Sequence, residues 1–523
     1  MRSLLLILVL AGCGEFSLDT PLGPISVDDP ALADAPGIIG VPNIDDDDEN
    51  GVEDWDDAED GGDNDIVGLT LYPHRKPLTL SVSGDDEFIR IWMDDDIVLD
   101  EDEDSLELSK DDGEAITLGI EFGDYLAKGI LTISDGKNSL EILLTSSPLI
   151  TNHHLQPAEY IWVLEYTGWG GNGAMLDVFE AQLGDRFIPV SGSDYGWDLW
   201  VEDEFEFASA NGTDGHRLDT VIDSIRDRGL DDMPEDMLVE PDVALRIWGN
   251  PNQVTTYDSF GNLEASPPVT VDGVTYPFGR VYYGAVGDYH RPDEELTEMF
   301  ASQYIQSPVE IDTSWLCVGH IDEFTSFIPD PSSEKGFKFL FADTVAGYEL
   351  IDSMDGNLYL SQYASQQNGH GIETISEMRD DQGIRYYNED IQANYLDPVL
   401  EVFISNFGLE EDDIILVPAL FEEVSNCGAA ALIPGTVNLA VANMEGEPVK
   451  LFIPDPYLRE NTNDQSSDAF IALIEELFPS DIELFFVDDW LYHMGLGEVH
   501  CGSNTQRTPI VNWWDYPELL GDF

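Results

Sequence analysis

The chain has 523 residues and carries 106 acidic against 21 basic side chains, for a formal net charge of −85 at pH 7. This imbalance argues against a nucleic-acid binder, which needs clustered Lys and Arg, and against electrostatic docking to an anionic membrane. Hydrophobic residues at 42% and aromatic residues at 11% are enough to build large cores, so the acidity does not indicate wholesale disorder. The charge favours a cationic partner, either metal ions or an Arg- or Lys-rich substrate, or else a salt-adapted surface.

The N-terminus has the make-up of an export signal. An apolar run follows Arg2 and is too short to span a bilayer. The run ends in Leu-Ala-Gly-Cys at Cys13, which resembles the lipobox of bacterial lipoproteins. We therefore expect residues 1–12 to be a lipoprotein signal peptide and Cys13 to carry the lipid anchor, in the outer membrane or at the cell surface. An ordinary signal peptide with a chance Cys is the alternative. Residues 13–40 are expected to form a linker.

A strongly acidic segment comes next, with thirteen acids among residues 45–65. Such a run normally repels itself and stays solvated. Here, however, oxygen-bearing side chains recur at alternate positions, followed by Gly51 for a sharp turn and by a distal carboxylate, which is the loop chemistry of Ca²⁺. We favour a calcium loop over a merely solvated run. The expected ligands are Asp46, Asp48, Asn50 and Asp54.

Residues from about 66 to 147 show the alternating pattern of short β-strands. Runs such as Phe88 to Trp92 and Ile130 to Ile133 are separated by turns rich in Gly and Asp. This pattern predicts an antiparallel β-sandwich. Together with the acidic loop, it defines an expected calcium-binding domain over residues 41–147.

From about residue 148 the pattern mixes strands with helices. Strand-like runs are expected at 160–166, 338–342, 451–454 and 482–487, and helices at 293–304 and 467–478. This mixture of strands and helices is typical of an α/β protein and extends over about 375 residues. That length is large for one domain unless the domain closes on itself, as a barrel or a propeller does. No sequence repeat decides between these two.

Cysteine usage leaves three residues beyond Cys13. A disulfide framework would need more cysteines and an even number, so at least one of Cys317, Cys427 and Cys501 is expected to be free. A free thiol in an oxidising compartment is a candidate nucleophile. Cys317 lies in an apolar run and is expected to be a small buried hydrophobe, whereas Cys427 lies in a loop-like stretch with no evident partner.

Several segments of the C-terminal region resemble one known family. They are Asp198–Glu206, Ile222–Gly229, Asp258–Glu264, Ser266–Val271, Cys317–Glu323, Gly497–Asn504 and Trp513-Trp514. Together, and in this order, they resemble the catalytic domain of the peptidylarginine deiminases, members of the guanidine-modifying pentein superfamily. The resemblance covers about residues 140–523. It implies an α/β-propeller of pseudo-fivefold symmetry over 148–523, preceded by an immunoglobulin-like β-sandwich, and without the N-terminal cupredoxin-like domain of the animal enzymes.

The resemblance also assigns chemical roles. A guanidinium is a planar cation, so two carboxylates on its edges hold it through paired, charge-assisted hydrogen bonds. A thiolate attacks its central carbon, and an acid/base group protonates the departing ammonia and activates water. The resemblance gives the carboxylates to Asp203 and Asp322, the thiol to Cys501 and the acid/base role to His320. The intermediate would be a covalent thiouronium, from which water releases citrulline. In His320-x-Asp322 both side chains would share one face of a strand.

Calcium is the expected cofactor. On an extended strand Asp203 would point away from a self-repelling row of glutamates, which needs a cation. The resemblance implies one site from Glu202, Glu206, Glu264 and the carbonyls of Phe260 and Leu263, and a second from Glu204, Asp223, Ser224 and Asp227, with Asp242 as a further ligand. Activity is therefore expected to depend on calcium.

Arginine and aromatic residues near these motifs suggest how substrate binds. The resemblance implies that Arg226 and Arg228 bind substrate backbone carbonyls, which favours peptide-bound arginine; a salt bridge to nearby acids is the alternative. Trp200 would pack on the substrate side chain, or else belongs to the core. His500 is a poor base for Cys501 if the two are strand neighbours. The pair at 153–154 lacks metal-ligand spacing and is expected at the surface.

Three functions remain open from the sequence. The first is calcium-dependent deimination of arginine in proteins, yielding citrulline and ammonia. The second is deimination of free arginine or agmatine on the same scaffold. The third is an inactive, calcium-stabilised surface-binding lipoprotein.

Overall fold

The structure is a computed structural model that describes residues 16–516 apart from 21–22, 28–36, 48–50, 57–64, 74–76, 95, 102–104, 109–114, 169, 213–215, 288–289, 367–368, 426 and 510–511. The expected signal peptide, Cys13, Asp48 and Asn50 therefore lie outside the described residues. Within the described part, no helix is both long and apolar enough to cross a bilayer.

The N-terminal part is built from strands. These are β1 (Phe16–Thr20), β2 (Gly23–Val27), β3 (Ile38–Gly40), β4 (Val67–Leu71), β5 (Leu78–Gly84), β6 (Ile89–Met93), β7 (Asp96–Leu99), β8 (Leu106–Leu108), β9 (Ile116–Phe122), β10 (Lys128–Ser134) and β11 (Ser139–Ser146). Over the described residues they form a six-stranded sheet, β1-β2-β4-β9-β6-β7, and a five-stranded sheet, β3-β11-β10-β5-β8.

One hydrophobic core joins these two sheets. Leu69 and Ile91 of the first sheet and Leu80 and Leu131 of the second belong to the same buried cluster. Alternate strand residues point inward, as the period-two pattern of the sequence predicted. The stretch expected to be a linker, 13–40, differs from the prediction because β1, β2 and β3 pair into the sheets.

The C-terminal part is mixed α/β. Its strands are β12 (Ile150–Thr151), β13 (Ala158–Glu165), β14 (Phe187–Ser191), β15 (Phe205–Asn211), β16 (Arg217–Asp223), β17 (Val243–Ile247), β18 (Leu263–Ala265), β19 (Val269–Val271), β20 (Val274–Tyr276), β21 (Val281–Ala285), β22 (Val309–Asp312), β23 (Thr325–Pro329), β24 (Phe337–Asp343), β25 (Ile414–Pro418), β26 (Phe421–Val424), β27 (Gly428–Ala431), β28 (Ala440–Ala442), β29 (Lys450–Pro454), β30 (Glu483–Val487) and β31 (Ser503–Arg507). Its helices are α1 (Gly173–Leu183), α2 (Val201–Glu204), α3 (Met233–Met237), α4 (Glu294–Gln303), α5 (Thr344–Ser353), α6 (Ile375–Asp380), α7 (Gln382–Ile391), α8 (Asp397–Phe407), α9 (Ala469–Leu477) and α10 (Trp490–His493).

Five sheets of the described C-terminal part share one pattern. In each, a middle strand pairs antiparallel with one neighbour and parallel with the other: β31-β13-β14, β15-β16-β17, β18-β21-β22, β23-β24-β25 and β28-β29-β30. Parallel neighbours need a crossover, and a helix lies in every one: α1, α3, α4, α5 to α8, and α9. The chain thus repeats a strand–strand–helix–strand unit that its sequence does not reveal.

The predicted helices and strands are largely confirmed. The helix expected over 293–304 is α4, and Asp293 caps its start by accepting a hydrogen bond from the Glu295 amide. The helix expected over 467–478 is α9, capped in the same way by Asp468. The expected strands correspond to β13, β24, β29 and β30.

An aromatic cluster fixes the fourth unit. Phe327 of β23 lies 4.8 Å from Phe339 of β24 between ring centroids, and Phe339 lies 4.6 Å from Phe403 of α8. All three rings are buried. Each such burial contributes roughly 2–3 kcal/mol, so the cluster holds α8 on the sheet that leads back to residues 320–323.

The five units also define one common position. Residues two places before the antiparallel outer strand of each unit are Cys501, Asp203, Gly261, Glu323 and Asn438. Because these residues precede corresponding strands by the same distance, they can come together at one end of the fold. Several of them are in fact neighbours: Asn438 Nδ2 donates to Cys501 Sγ at 3.2 Å, and a Cβ on Gly261 would stand 3.1 Å from Asp203 Oδ1.

Cys317 and Cys427 form a disulfide that the sequence did not predict. The expectation that Cys317 is a lone buried hydrophobe is therefore wrong. The two residues are 110 positions apart, so their spacing alone could not indicate a pair. The bridge joins the segment before His320 to the β26–β27 hairpin, and Cys501 is left as a buried free thiol.

Candidate active site

A thiol, two carboxylates and an imidazole meet at the common end of the five units. The Cys501 Sγ donates to Asp322 Oδ2 at 3.3 Å, and His320 Nδ1 lies 3.4 Å from Asp203 Oδ1. All four side chains are buried. The sequence prediction that they would come together therefore holds geometrically.

Gly261 lies at the centre of this group. A Cβ on that residue would stand 3.0 Å from His320 Nδ1, 3.1 Å from Asp203 Oδ1 and 3.2 Å from Asp322 Oδ2. Three polar atoms from two segments of the chain, around 203 and 320–322, thus face one point. A side chain at 261 would crowd this small space, and two carboxylates beside it are suited to a planar cation.

Asp203 reaches the site from a helical turn and not from a strand, so that prediction was wrong. β15 pairs with β16 only from Phe205 onward, because β16 ends at Asp223 and the chain then turns away. Without a ladder partner, residues 201–204 form α2. A helical turn points Glu202, Asp203 and Glu204 in different directions, whereas a strand would have set Glu202 and Glu204 on one face.

His320 and Asp322 also lie in a turn, which corrects the expected strand. A 3-10 turn covers Ile321–Glu323, and the Glu323 carboxylate accepts hydrogen bonds from the amides of His320 at 2.9 Å and Gly319 at 3.0 Å. Burial raises the pKa of Glu323 well above its ordinary value, while these amides oppose the shift. The turn holds His320 and Asp322 toward the same point by these hydrogen bonds.

His320 has a defined proton arrangement. Its Nε2 lies 2.8 Å from the Thr256 carbonyl oxygen, which can only accept, so Nε2 carries hydrogen. Its Nδ1 faces Asp203. Nδ1 is therefore the atom that can exchange a proton with a molecule in the site.

Asn438 is a site residue that the sequence reading missed. Its Nδ2 donates to Cys501 Sγ at 3.2 Å and to the Asp322 backbone oxygen at 3.2 Å. Its Oδ1 accepts from the amides of Cys501 at 3.2 Å and His500 at 3.0 Å. Asn438 thus fixes the backbone that presents the thiol. Only the structure indicates this role: Asn438 lies two residues before β28, just as Cys501 lies two residues before β31.

His500 also takes part, contrary to its dismissal as a strand neighbour. Residues 497–502 form turns and not a strand, and His500 Nδ1 donates to Asp322 Oδ2 at 3.0 Å. Although burial opposes protonation, Glu202, Glu264 and Asp322 raise the pKa of His500 to about 10 when no other cation is present. His500 does not contact the thiol; it orients the carboxylate that does.

The site disfavours bare negative charge. Burial raises the pKa of Asp203 to about 6, with His320 opposing and Asp322 adding to the shift. Burial, followed by Asp322 and Asp203, raises the pKa of Cys501 well above its ordinary value. The thiol is accordingly protonated in the empty site. A cation between the carboxylates would reverse both effects.

Arg226 and Arg228 form salt bridges with aspartate carboxylates at the site. Arg226 Nη1 is 2.5 Å from Asp203 Oδ2, and Arg228 Nε is 3.1 Å from Asp198 Oδ2. The salt-bridge alternative thus describes both arginines in this structure. Trp200 is half-buried and packs on Gly497, where an added Cβ would stand 2.4 Å from the Trp200 ring and 3.3 Å from Cys501 Cβ.

The first predicted calcium set forms a buried acidic group. Burial, with contributions from neighbouring carboxylates, raises the pKa of Glu202 well above its ordinary value, that of Glu206 to about 8 and that of Glu264 to about 7. The Phe260 and Leu263 backbones are buried on the adjoining 3-10 turn and strand. Carboxylate and carbonyl oxygens fit a hard cation, which would relieve the repulsion.

The second predicted set is centred on Glu204 and Asp223. Neither carboxylate oxygen of Glu204 has a hydrogen-bond partner among the described residues, although the side chain is fully buried. Burial, then charge repulsion, raises the pKa of Glu204 to about 9 and of Asp223 to about 8. Ser224 adjoins them and is buried, whereas Asp227 is exposed. Orphaned buried carboxylates fit a cation here.

The acidic loop is arranged differently from the prediction. The converging carboxylates are Asp45, Asp47 and Asp242, whose oxygens lie within 4.8 Å of one another. Asp46 instead accepts from the Gly51 amide at 2.6 Å, and Asp54 accepts from the Asp47 amide at 3.1 Å. Asp242, a predicted ligand that directly precedes β17, therefore lies beside this loop although it is distant in the sequence.

His153 and His154 are both buried, so their expected surface position was wrong. His154 Nε2 faces Glu264 at 3.8 Å. The pair sits behind the acidic group just described.

Comparison with known proteins gives consistent matches. The family model described as protein-arginine deiminase (PAD) matches residues 139–515. Protein-arginine deiminase type-4 of Rattus norvegicus is 31% identical over 400 residues, covering 71% of this chain and 56% of the relative. Protein-arginine deiminase type-1 of Homo sapiens is 34% identical over 329 residues, covering 61% and 47%. The chain spans about half the length of these relatives.

Among solved structures, a C. jejuni agmatine deiminase is similar with a TM-score of 0.37 at 10% identity, over 70% of this chain and 98% of that chain. A likeness at this level bears neither on the fold nor on the substrate.

Proposed function

The chain belongs to the protein-arginine deiminase family, and on that premise we propose that it hydrolyses peptidyl-arginine to peptidyl-citrulline and ammonia in a calcium-dependent reaction. One observation carries the proposal: Cys501, Asp322, Asp203 and His320 converge around the small space at Gly261. Three segments far apart in the chain, around residues 203, 320–322 and 501, supply the groups that guanidinium hydrolysis requires.

Substrate binding prepares the nucleophile. A substrate guanidinium enters between Asp203 and Asp322 and donates paired hydrogen bonds to both carboxylates. Its positive charge neutralises the carboxylates that hold the pKa of Cys501 high. The thiol then loses its proton more readily, with the Asn438 amide donating to the sulfur. Ionisation is thereby coupled to the presence of substrate.

The chemical steps use His320. The Cys501 sulfur attacks the guanidinium carbon, and His320 Nδ1 delivers a proton to the amino group that leaves as ammonia. The C–N bond breaks and a C–S bond holds the substrate as a thiouronium. His320 Nδ1 then takes a proton from water, whose oxygen attacks the same carbon. The C–S bond breaks, the proton of the new C–OH group passes to the departing Cys501 sulfur, and the Cys501 thiol and a neutral citrulline side chain remain.

Calcium supplies positive charge and structural order in this proposal. The residues that would hold it are Glu202, Glu206 and Glu264 with two carbonyls, and Glu204 with Asp223, Ser224 and Asp227. Both sets include α2, which carries Asp203 between them. Charge repulsion between these glutamates opposes the folded turn until a cation neutralises it, so the position of Asp203 responds to calcium.

A substrate within a protein chain is favoured over free arginine. Arg226 and Arg228 are donors at the rim of the site, and they can turn from Asp203 and Asp198 to substrate carbonyls when a guanidinium takes their place. Free arginine or agmatine is the second candidate. An inactive binding protein is a third, and the complete catalytic set speaks against it.

The proposal extends to architecture and location. The five strand–strand–helix–strand units would surround one axis as an α/β-propeller, and the N-terminal sandwich would be immunoglobulin-like. The chain would be exported and held in the cell envelope by lipid on Cys13. The disulfide supports an oxidising compartment. Metabolic lipid labelling of the chain and of Cys13→Ser tests the anchor, and equal labelling would contradict it.

The function is tested by citrulline formation. The purified chain is given an arginine peptide, free arginine or agmatine, with Ca²⁺ or with chelator. The expected result is citrulline from the peptide only with Ca²⁺, and none from Cys501→Ser. Turnover in chelator would contradict calcium dependence, and no turnover on any substrate at saturating Ca²⁺ would contradict an enzyme.

A further inference from the structure

Two histidines converge on one carboxylate behind the catalytic group. His154 Nε2 lies 3.8 Å from Glu264 Oε2, and His500 Nε2 lies 3.5 Å from Glu264 Oε1. The three ligand atoms all lie within 4.8 Å of one another, and all three residues are buried. His154 comes from the segment before β13, Glu264 from β18 and His500 from the turn before β31.

The outer nitrogens of both histidines are already engaged. His154 Nδ1 lies 2.9 Å from the Phe327 carbonyl oxygen, and His500 Nδ1 lies 3.0 Å from Asp322 Oδ2. Both oxygens are acceptors, so both Nδ1 atoms carry hydrogen. Ligating histidines in metalloproteins are typically held in this way, with the second nitrogen donating to a carbonyl or carboxylate while the first binds the metal.

The inner atoms are suited to a cation. With hydrogen on Nδ1, a neutral His154 turns a bare Nε2 lone pair toward the Glu264 carboxyl group, and a bound metal ion would bridge these two groups in place of a proton on His500. The carboxyl groups of Glu202 and Glu206 also lie close to Glu264. Arg507 is the basic group close by, and its Nη1 donates to the His154 and Gln156 carbonyls. The surroundings remain net acidic.

We propose that His154 Nε2, Glu264 and His500 Nε2 bind a divalent transition metal ion of the zinc class. Imidazole nitrogens suit such ions, whereas Ca²⁺ takes oxygen ligands. Ligands about 2.0–2.1 Å from a tetrahedral zinc lie roughly 3.4 Å apart. The two histidine nitrogens lie 3.5 and 3.8 Å from different oxygens of Glu264, so small side-chain adjustments would bring one carboxylate oxygen and both nitrogens to that spacing. Through the Nδ1 of His500, the ion would fix the orientation of Asp322.

This inference is independent of the deimination reaction, although it shares Glu264 with the first proposed calcium set. The metal site is therefore tested by measuring ion binding and absorption spectra and not by measuring turnover. The probe is Co²⁺, whose visible absorption reports nitrogen and oxygen ligands. The titration is done on metal-free full-length chain carrying Cys501→Ser, so that the thiol cannot serve as a ligand.

We expect one Co²⁺ per chain with a visible ligand-field band that equimolar Zn²⁺ abolishes. Loss of a ligand costs at least the 10- to 100-fold typical of an outer partner, so His154→Thr and Glu264→Gln should weaken binding by more than about 100-fold. Asp322→Ala removes only the outer partner of His500 and should weaken Co²⁺ binding about 10- to 100-fold. His290→Ala, at an exposed histidine, should change nothing.

Three results would overturn the proposal: no band, a band unchanged in His154→Thr, or displacement of Co²⁺ by equimolar Ca²⁺. The first would leave His500 as an imidazolium shared by Asp322 and Glu264. Should His154→Thr fail to fold, X-ray absorption of the Zn²⁺-loaded Cys501→Ser chain decides. Two imidazole ligands are expected, and none or one would contradict the site.

Discussion

The guanidinium of Arg226 lies against the carboxylate of Asp203, with Nη1 2.5 Å from Oδ2. Asp203 is one of the two carboxylates proposed to hold the substrate guanidinium. In that proposal, Arg226 competes with the substrate guanidinium for the Asp203 carboxylate. Arg226 must turn away when substrate enters, which leaves its donors free to bind the substrate backbone.

Arg226→Ala tests this exchange. We expect kcat/KM on an arginine peptide to fall about 10- to 100-fold, because hydrogen bonds from a charged donor contribute about 1.5–3 kcal/mol. Agmatine has no carbonyl for Arg226 to bind, so any turnover of agmatine should not fall. Arg291→Ala, an arginine paired with Glu310 at the surface, is the control. An equal loss on both substrates would contradict a backbone-binding role.

Asn438→Ala tests the positioning of the thiol. Its amide donates to Cys501 Sγ and its oxygen holds two amides of the same turn, so we expect kcat/KM to fall about 10- to 100-fold. Loss of the donor also destabilises the thiolate, so the pH at which iodoacetamide alkylates Cys501 should rise. Asn443→Ala, whose amide donates to the Leu155 carbonyl, is the matched control. An unchanged alkylation profile would refute the proposed contact.

The disulfide predicts a redox-dependent stability. Cys317 and Cys427 close a loop across 110 positions, and the chain-entropy model gives about 4.7 kcal/mol for a loop of about 100 residues. We expect Cys427→Ser to lower the urea midpoint of unfolding and to remove any response to reductant. Native chain in reductant should match the variant. Equal midpoints for oxidised native chain and Cys427→Ser would show that the bridge contributes nothing.

Asp489 predicts a pH dependence of stability. Burial, with the neighbouring Glu498 carboxyl, raises the pKa of Asp489 well above its ordinary value. The folded state therefore binds a proton that the unfolded state releases above about pH 4, so this group's contribution to the unfolding free energy falls as pH rises. Asp489→Asn, which has no proton to lose, should be stabilised more at pH 8 than at pH 5.

The check is urea unfolding of both chains across that pH range. Asp481→Asn, at an exposed aspartate, is the control and should follow the native chain. Parallel curves for native chain and Asp489→Asn would mean that Asp489 does not hold its proton.

Short sequence motifs predicted most of the residues of the site. The resemblance of the segments around Asp203, His320–Asp322 and Cys501 to the deiminase family predicted which side chains would meet. Their backbone was predicted wrongly as strand in three places: at 201–204, at 320–322 and at 500–501. A strand needs a partner, and whether β16 reaches residues 201–204 depends on where a distant segment turns away.

Features that depend on contacts between distant parts of the chain could not be predicted from the sequence. The five units share strand order and crossovers but no residue pattern, because burial requires only apolar side chains at the right positions. Asn438 and His154 have no motif of their own; their place beside Cys501 and Glu264 follows from the convergence of separate units. The same holds for the disulfide, whose partners come together only when the β26–β27 hairpin packs beside the segment before His320.

The central claim is that Cys501 attacks the guanidinium carbon of an arginine side chain. The most direct measurement is intact-protein mass spectrometry of the chain after acid quenching during turnover of an arginine peptide with Ca²⁺. The account predicts an added mass equal to the peptide minus ammonia, located on Cys501 and absent from Cys501→Ser. Citrulline formation by Cys501→Ser at the native rate, with no adduct on the native chain, would contradict it.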